Sequence, residues 1–171
     1  MRLFPNKRVG FIFIILFWCE ISISSWLKIQ QSRPDFFLLF LVFYAFRIEW
    51  RNLIALGLLL GLTRDFFSNS YFGLETASFV ASAVILQWVV PRLDREKNWV
   101  HWGTLLVVSF FNSVLYLAFL SFVDFPVRIN GGTWLQLLII PVYTSVVGAV
   151  LFPLMDRCLV GKVATKQYEL F

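Results

Sequence analysis

Residues 53–79 read LIALGLLLGLTRDFFSNSYFGLETASF, and this stretch constrains the fold more than any other. An apolar segment holding Gly57 and Gly61 ends at an adjacent Arg64-Asp65 pair. A short polar link with Gly73 follows, and then a second apolar segment begins. A water-soluble domain has little reason to set Arg-Asp between two such runs. A membrane protein does, because the pair can mark a membrane boundary or a polar spot inside a helical bundle.

Composition agrees. Only 15% of the 171 residues are charged and 59% are hydrophobic, whereas soluble domains are nearer a quarter charged. Twenty Phe and seven Trp would leave much aromatic surface in water; in a bilayer they face lipid or its edge. The net charge of +5 would suit nucleic acid in a soluble chain. Here the basic residues sit in small groups between apolar runs and no nucleic-acid motif is present, so topology accounts for them. Cys19 lies in the first apolar run and Cys158 beyond the last, which makes neither a disulfide framework nor a metal site.

The apolar runs predict an all-α, polytopic membrane protein. Its single domain, 1–171, holds six transmembrane helices at about 9–27, 35–50, 51–64, 73–91, 102–123 and 133–155. The first run follows Arg2, Lys7 and Arg8. It is long for a signal sequence and lacks a clear cleavage site, so it reads as a retained helix. Glu20 is its one charged residue. With Ser22, Ser24, Ser25 and Trp26 it reads as the interfacial end of a span, in preference to a buried functional carboxylate. The second and third runs are short. Arg47, Glu49 and Arg51 between them favour two short spans with snorkelling ends over one long helix or a re-entrant pair. With the N-terminus inside and six crossings, eleven Lys and Arg fall on inner segments and four on outer ones. That bias predicts a bacterial inner-membrane protein with both termini in the cytoplasm.

A few polar and small residues stand out within the runs. Gly57 and Gly61 share a helix face and admit a close neighbour, either inside the monomer or in a homodimer. Arg64 and Asp65 are adjacent, do not share a helical face and so need not pair with each other; either can reach a partner on another helix, such as Glu75 for the arginine. Asp65 reads either as a helix-end acid facing water or as the residue that fixes the junction between the third and fourth helices. Asn112, midway along the fifth run, needs an interhelical hydrogen-bond partner. Pro141 interrupts the sixth run and frees a carbonyl. The charged loop at 92–99 reads as a solvated turn, and His101 as an interfacial side chain. His101 is the only histidine and no zinc motif occurs, so no catalytic residue, metal or cofactor is expected. If Glu20, Arg64, Asp65, Glu75 and Asn112 converge on a cavity, the alternative is a small-molecule binding or transport component.

The chain resembles the MreD family of bacterial rod shape-determining membrane proteins over about 9–155. The resemblance rests on Arg33-Pro34-Asp35 before an apolar helix, then Gly61-Leu62-Thr63-Arg64-Asp65, Ser68-Asn69-Ser70 and Gly73. Arg64 stands where that family usually has an apolar residue, and Asn69 where glycine is frequent. The resemblance implies a non-enzymatic adaptor of the lateral-wall elongation complex, supporting peptidoglycan synthesis and cell shape. Its implied partners are the scaffold MreC, the MreB filaments, and the polymerase RodA with its transpeptidase. The resemblance also implies a six-helix fold similar to the substrate-binding subunit of energy-coupling-factor transporters. Gly57, Gly61, Arg64, Asp65, Gly73 and Asn112 are the expected packing and partner-interface residues.

Overall fold

The computed structural model describes residues 33–68, 71–93, 98–122 and 131–159, together with positions 14, 15, 17, 18, 20 and 22 of the first apolar run. The expected first span therefore lies largely outside the described residues. Those described are helical: α1 Phe36–Ala45, α2 Trp50–Phe67, α3 Leu74–Val89 with a 3₁₀ turn at Val90–Arg92, α4 Asn98–Phe122 and α5 Gly131–Leu159. Three stretches are long and apolar enough to cross a membrane: Leu74–Arg92, Trp99–Phe122 and Leu135–Met155.

The short second and third runs form separate helices joined by a turn at 46–49. α1 is only ten residues, about 15 Å at the helical rise, or half a hydrocarbon core. All ten of its residues are buried, as expected of a helix that is apolar on every face. It packs against α2, α3, α4 and α5. Asp35 caps its start by accepting the Leu38 N–H at 2.9 Å. At its end the Arg47 and Ile48 amides both turn back to the Tyr44 carbonyl.

Tight packing of α2 on α3 follows from the two glycines. A Cβ on Gly61 would lie 2.5 Å from the Thr76 Cα, and one on Gly57 would lie 3.0 Å from the Ala83 Cβ. The glycine face is thus used within the monomer, against α3. We expect Gly61→Ala to cost about 1–3 kcal/mol, because backbone rather than a flexible side chain must yield. Gly57→Ala should cost less. Thermal unfolding in detergent would show the order.

α4 and α5 pack together and present apolar faces outward, with Val107, Phe111, Val142 and Val146 all exposed. Polar groups lie inside instead. Ser82 and Asn112 are buried, and Thr104 and Ser113 return their hydroxyls to carbonyls four residues back. Apolar outside and polar inside is the arrangement a lipid solvent demands.

Candidate functional site: a charged cluster at the head of a half-length helix

Asp35 sits where α1 begins, near the middle depth of the bundle. Its backbone N–H donates to Thr144 Oγ1 at 3.1 Å, and Thr144 lies halfway along the apolar span of α5. The Asp35 carboxylate accepts from Leu38 through one oxygen and pairs with Arg64 Nη1 through the other. Arg64 also reaches Glu75 on α3, Nε to Oε1 at 3.4 Å. One arginine thus ties the start of α1, the end of α2 and the start of α3 together.

Glu20 joins this cluster, accepting the Phe36 N–H at 3.1 Å. That corrects the interfacial reading of Glu20. The first N–H groups of a buried helix have no water to turn to, and a carboxylate from another segment supplies the acceptor. Three carboxylates therefore surround one guanidinium. In a low-dielectric interior such a cluster holds only while every member keeps its partner.

Asp65 points the other way. It is 4% exposed and gathers the head of α3. Its oxygens accept the amides of Gly73 at 3.0 Å, Glu75 at 3.1 Å and Thr76 at 3.1 Å, together with the Thr76 hydroxyl. Gly73 precedes α3 with φ +100° and has no side chain to cap with. That left-handed backbone favours glycine, and Asp65 supplies the missing cap from the preceding helix. Arg64 and Asp65 fall in the last turn of α2, which runs on to Phe67 instead of ending at the pair. Substituting Gly73 by alanine should cost about 1–2 kcal/mol through backbone strain alone, since a Cβ there meets nothing within 4 Å. Loss of thermal stability with packing otherwise intact would check this.

Asn112 accepts the Ser82 hydroxyl at 3.0 Å, joining α4 to α3 at mid-depth. Two clefts flank the Arg64–Glu75 pair. One, of about 460 Å³, is lined by Glu20, Arg33, Arg64 and Glu75, with Phe37 and Phe67 as walls. The other, of about 220 Å³, is lined by Asp35, Arg64, Glu75 and Asn112, and by Gln136 and Leu137. Pro141 cannot return an N–H to Leu137, so that carbonyl lacks its helical donor at the cleft wall.

The residues expected from sequence fall in three places. Gly57, Gly61, Asp65 and Gly73 form the α2–α3 seam, Arg64 stands at the charged cluster, and Asn112 lies deeper, on the smaller cleft. Glu75 is the partner of Arg64 that the sequence suggests, whereas Asp35 and Thr144 carry as much of the geometry and are not among the residues expected from sequence. The signal for Asp35 was local: Pro-Asp directly before an apolar run is an N-cap pattern. Nothing local marks Thr144, which is one of several hydroxyls on α5. Among the described residues no group of three His, Cys, Asp or Glu is placed to hold a metal. His101 stands at the other end of the bundle, its ring 4.2 Å from that of Phe46. What the cluster does chemically is clamp three helix ends by charge and hydrogen bonding.

Neither the curated proteins nor the solved structures contain a match to this chain. A family model does match: rod shape-determining protein MreD, over residues 7–155. That covers most of the chain, agrees with the all-helical, membrane-compatible architecture, and takes in both the Asp35–Arg64–Glu75 cluster and the Asp65 cap. The chain belongs to the MreD family, membrane proteins with a structural role in determining rod shape.

Proposed function

We propose that this protein is a six-span, non-enzymatic adaptor of the elongation complex, binding MreC in the inner membrane and supporting peptidoglycan synthesis by RodA and its transpeptidase along MreB. Both termini lie in the cytoplasm in this reading, so the Arg64 cluster opens toward the periplasmic half of the bilayer. The observation that carries it, beside family membership, is the outer face of α5. Leu138, Val142, Val146, Val150 and Leu154 recur every four residues, and each is more than half exposed. Residues four apart make a continuous ridge that fits the groove of another helix. In lipid such contacts rest on close packing, and the single transmembrane helix of MreC is the occupant proposed here.

Replacing Val142, Val146 and Val150 together by phenylalanine should roughen this ridge while keeping it apolar. We expect membrane insertion to persist and MreC recovery on co-purification to fall by about tenfold or more, the equivalent of roughly 1.4 kcal/mol. Unchanged recovery after similar substitutions across the outer faces of α3, α4 and α5 would contradict the adaptor reading.

The two clefts favour a second reading, a small-molecule binding component. Glu20, Arg64, Glu75 and Asn112 line them, while Asp65 is turned away to cap α3. A half-length helix with polar clefts at its head also supports the likeness to the substrate-binding subunit of energy-coupling-factor transporters. Saturable retention of a vitamin-like ligand, lost in Asn112→Leu, would favour it; no retention would remove it.

A further inference from the structure

Four tryptophans stand on the surface at one end of the bundle. Trp50 opens α2, Trp88 lies at the end of α3, and Trp99 and Trp102 open α4; all are exposed. Arg51 lies over the Trp50 ring at 5.1 Å and Arg92 over Trp88 at 5.9 Å. Tryptophan and arginine gathered in this way mark the headgroup level of one leaflet.

Depth follows from that level by counting residues. At the helical rise, α2 climbs about 26 Å from Trp50 to Phe67, and α3 about 21 Å from Trp88 back to Leu74. α4 climbs about 30 Å from Trp102 to Phe122. A hydrocarbon core is about 30 Å thick, and tilt only lowers the height a helix reaches. α4 therefore arrives at the far side, whereas the ends of α2 and α3 stop several ångströms short of it.

Those short ends are aromatic. Phe66, Phe67 and Phe72 are 73%, 64% and 65% exposed. The Phe66 and Phe72 rings meet edge to face with centroids 5.4 Å apart, joining the two sides of the turn. The nearby charges face inward: Asp65 and Glu75 are buried, and Arg64 is engaged with Asp35 and Glu75. Phe66 also continues the outer stripe of α2. Leu58 is exposed and Leu62 half-buried, each four residues from the next. That stripe belongs to the apolar exterior that the bundle turns to lipid.

We propose that the α2–α3 turn lies in the lipid of the far leaflet, with the rings of Phe66, Phe67 and Phe72 packed on acyl chains. The bilayer is then thin beside α2 and α3 and of full thickness beside α4, since a short apolar stretch draws the leaflet in. Lipid is the occupant because the rings extend a lipid-facing stripe and lie below the far headgroups by the count of residues.

The test is nitroxide labelling of the full chain in liposomes of phosphatidylethanolamine and phosphatidylglycerol. With Cys19→Ala and Cys158→Ala as background, Phe66→Cys and Phe72→Cys are labelled one at a time. Collisions with oxygen, which concentrates in lipid, are compared with collisions with a water-soluble nickel chelate. Glu49→Cys, in the exposed turn at 46–49, is the water reference, and Phe111→Cys, midway along α4, is the lipid reference. We expect the oxygen-to-nickel ratio at 66 and 72 to lie several-fold above that at 49 and near that at 111. Two positions keep the test decisive should one substitution disturb the fold. Nickel collisions equal to those at 49 would place the turn in water and overturn the proposal. Few collisions with either reagent would mean that a second copy of the chain covers the rings, and would overturn it equally.

Discussion

Arg64→Leu should leave little folded protein in the membrane. The substitution removes the cation shared by Asp35 and Glu75 and leaves those two carboxylates, with Glu20, facing one another. Breaking a buried pair by deleting one partner costs about 3–5 kcal/mol. The Arg64 side chain is 29% exposed while Asp35 and Glu75 are 6% and 11%. Screening therefore places the cost toward the lower end, about 3 kcal/mol, which is still a large share of the stability of an ordinary domain. The decisive comparison is Arg64→Leu/Asp35→Asn/Glu75→Gln. Neutralising the two acids removes the repulsion, so the triple variant should be recovered better than the single one. Arg64→Lys keeps charge but loses the planar fork that spans two carboxylates, and should fall between them. Yield of monodisperse protein after detergent extraction reads all three. A single variant as stable as wild type would show that the cluster does not hold α1, α2 and α3 together.

The second large effect is at Asp65. Asp65→Ala strands three amides at the head of α3 and the Thr76 hydroxyl, one of them buried and the rest half-buried. A stranded buried donor costs about 1–3 kcal/mol and half-buried ones less, so a loss of about 3 kcal/mol is expected in detergent unfolding. Asp65→Asn keeps the shape but sets an NH₂ against donors, and should lose roughly half as much. If the α2–α3 junction also shapes the partner surface, Asp65→Asn will reduce MreC recovery and widen cells. Full assembly and normal width in that variant would confine Asp65 to holding the junction.

How much of this was legible in the sequence depends on whether the cause is local. The Arg64-Asp65 pair between apolar runs reads either as a membrane boundary or as a polar spot inside a bundle, and adjacency implies only that the two need not pair with each other. The structure sends Arg64 to α1 and Glu75, and Asp65 to α3. Glycines four apart signalled close approach, but not which helix would approach. Only the packing of α2 on α3 shows that the face is spent inside the monomer. The half-length α1 was harder to read. The apolar run at 36–46 has eleven residues, too few to span, so the expected helix takes in 35–50. The turn at 46–49 stops it short, and surrounding helices bury it whole. Its depth depends on Thr144, 109 residues away, and no pattern near residue 35 carries that information. The place of Glu20 is hidden for the same reason, because its partner, the Phe36 amide, is an orphan donor only where α1 begins inside the bundle.

The central claim is that this MreD-family chain works as an adaptor, through helix packing with MreC. The most direct measurement is cross-linking co-purification from the native cell, with quantitative identification of partners in detergent or nanodiscs. The expected result is MreC at near-stoichiometric recovery, accompanied by the elongation enzymes. Recovery of a transporter energising module without MreC would contradict it and move the function to solute uptake, with the clefts beside Arg64 and Glu75 as the site.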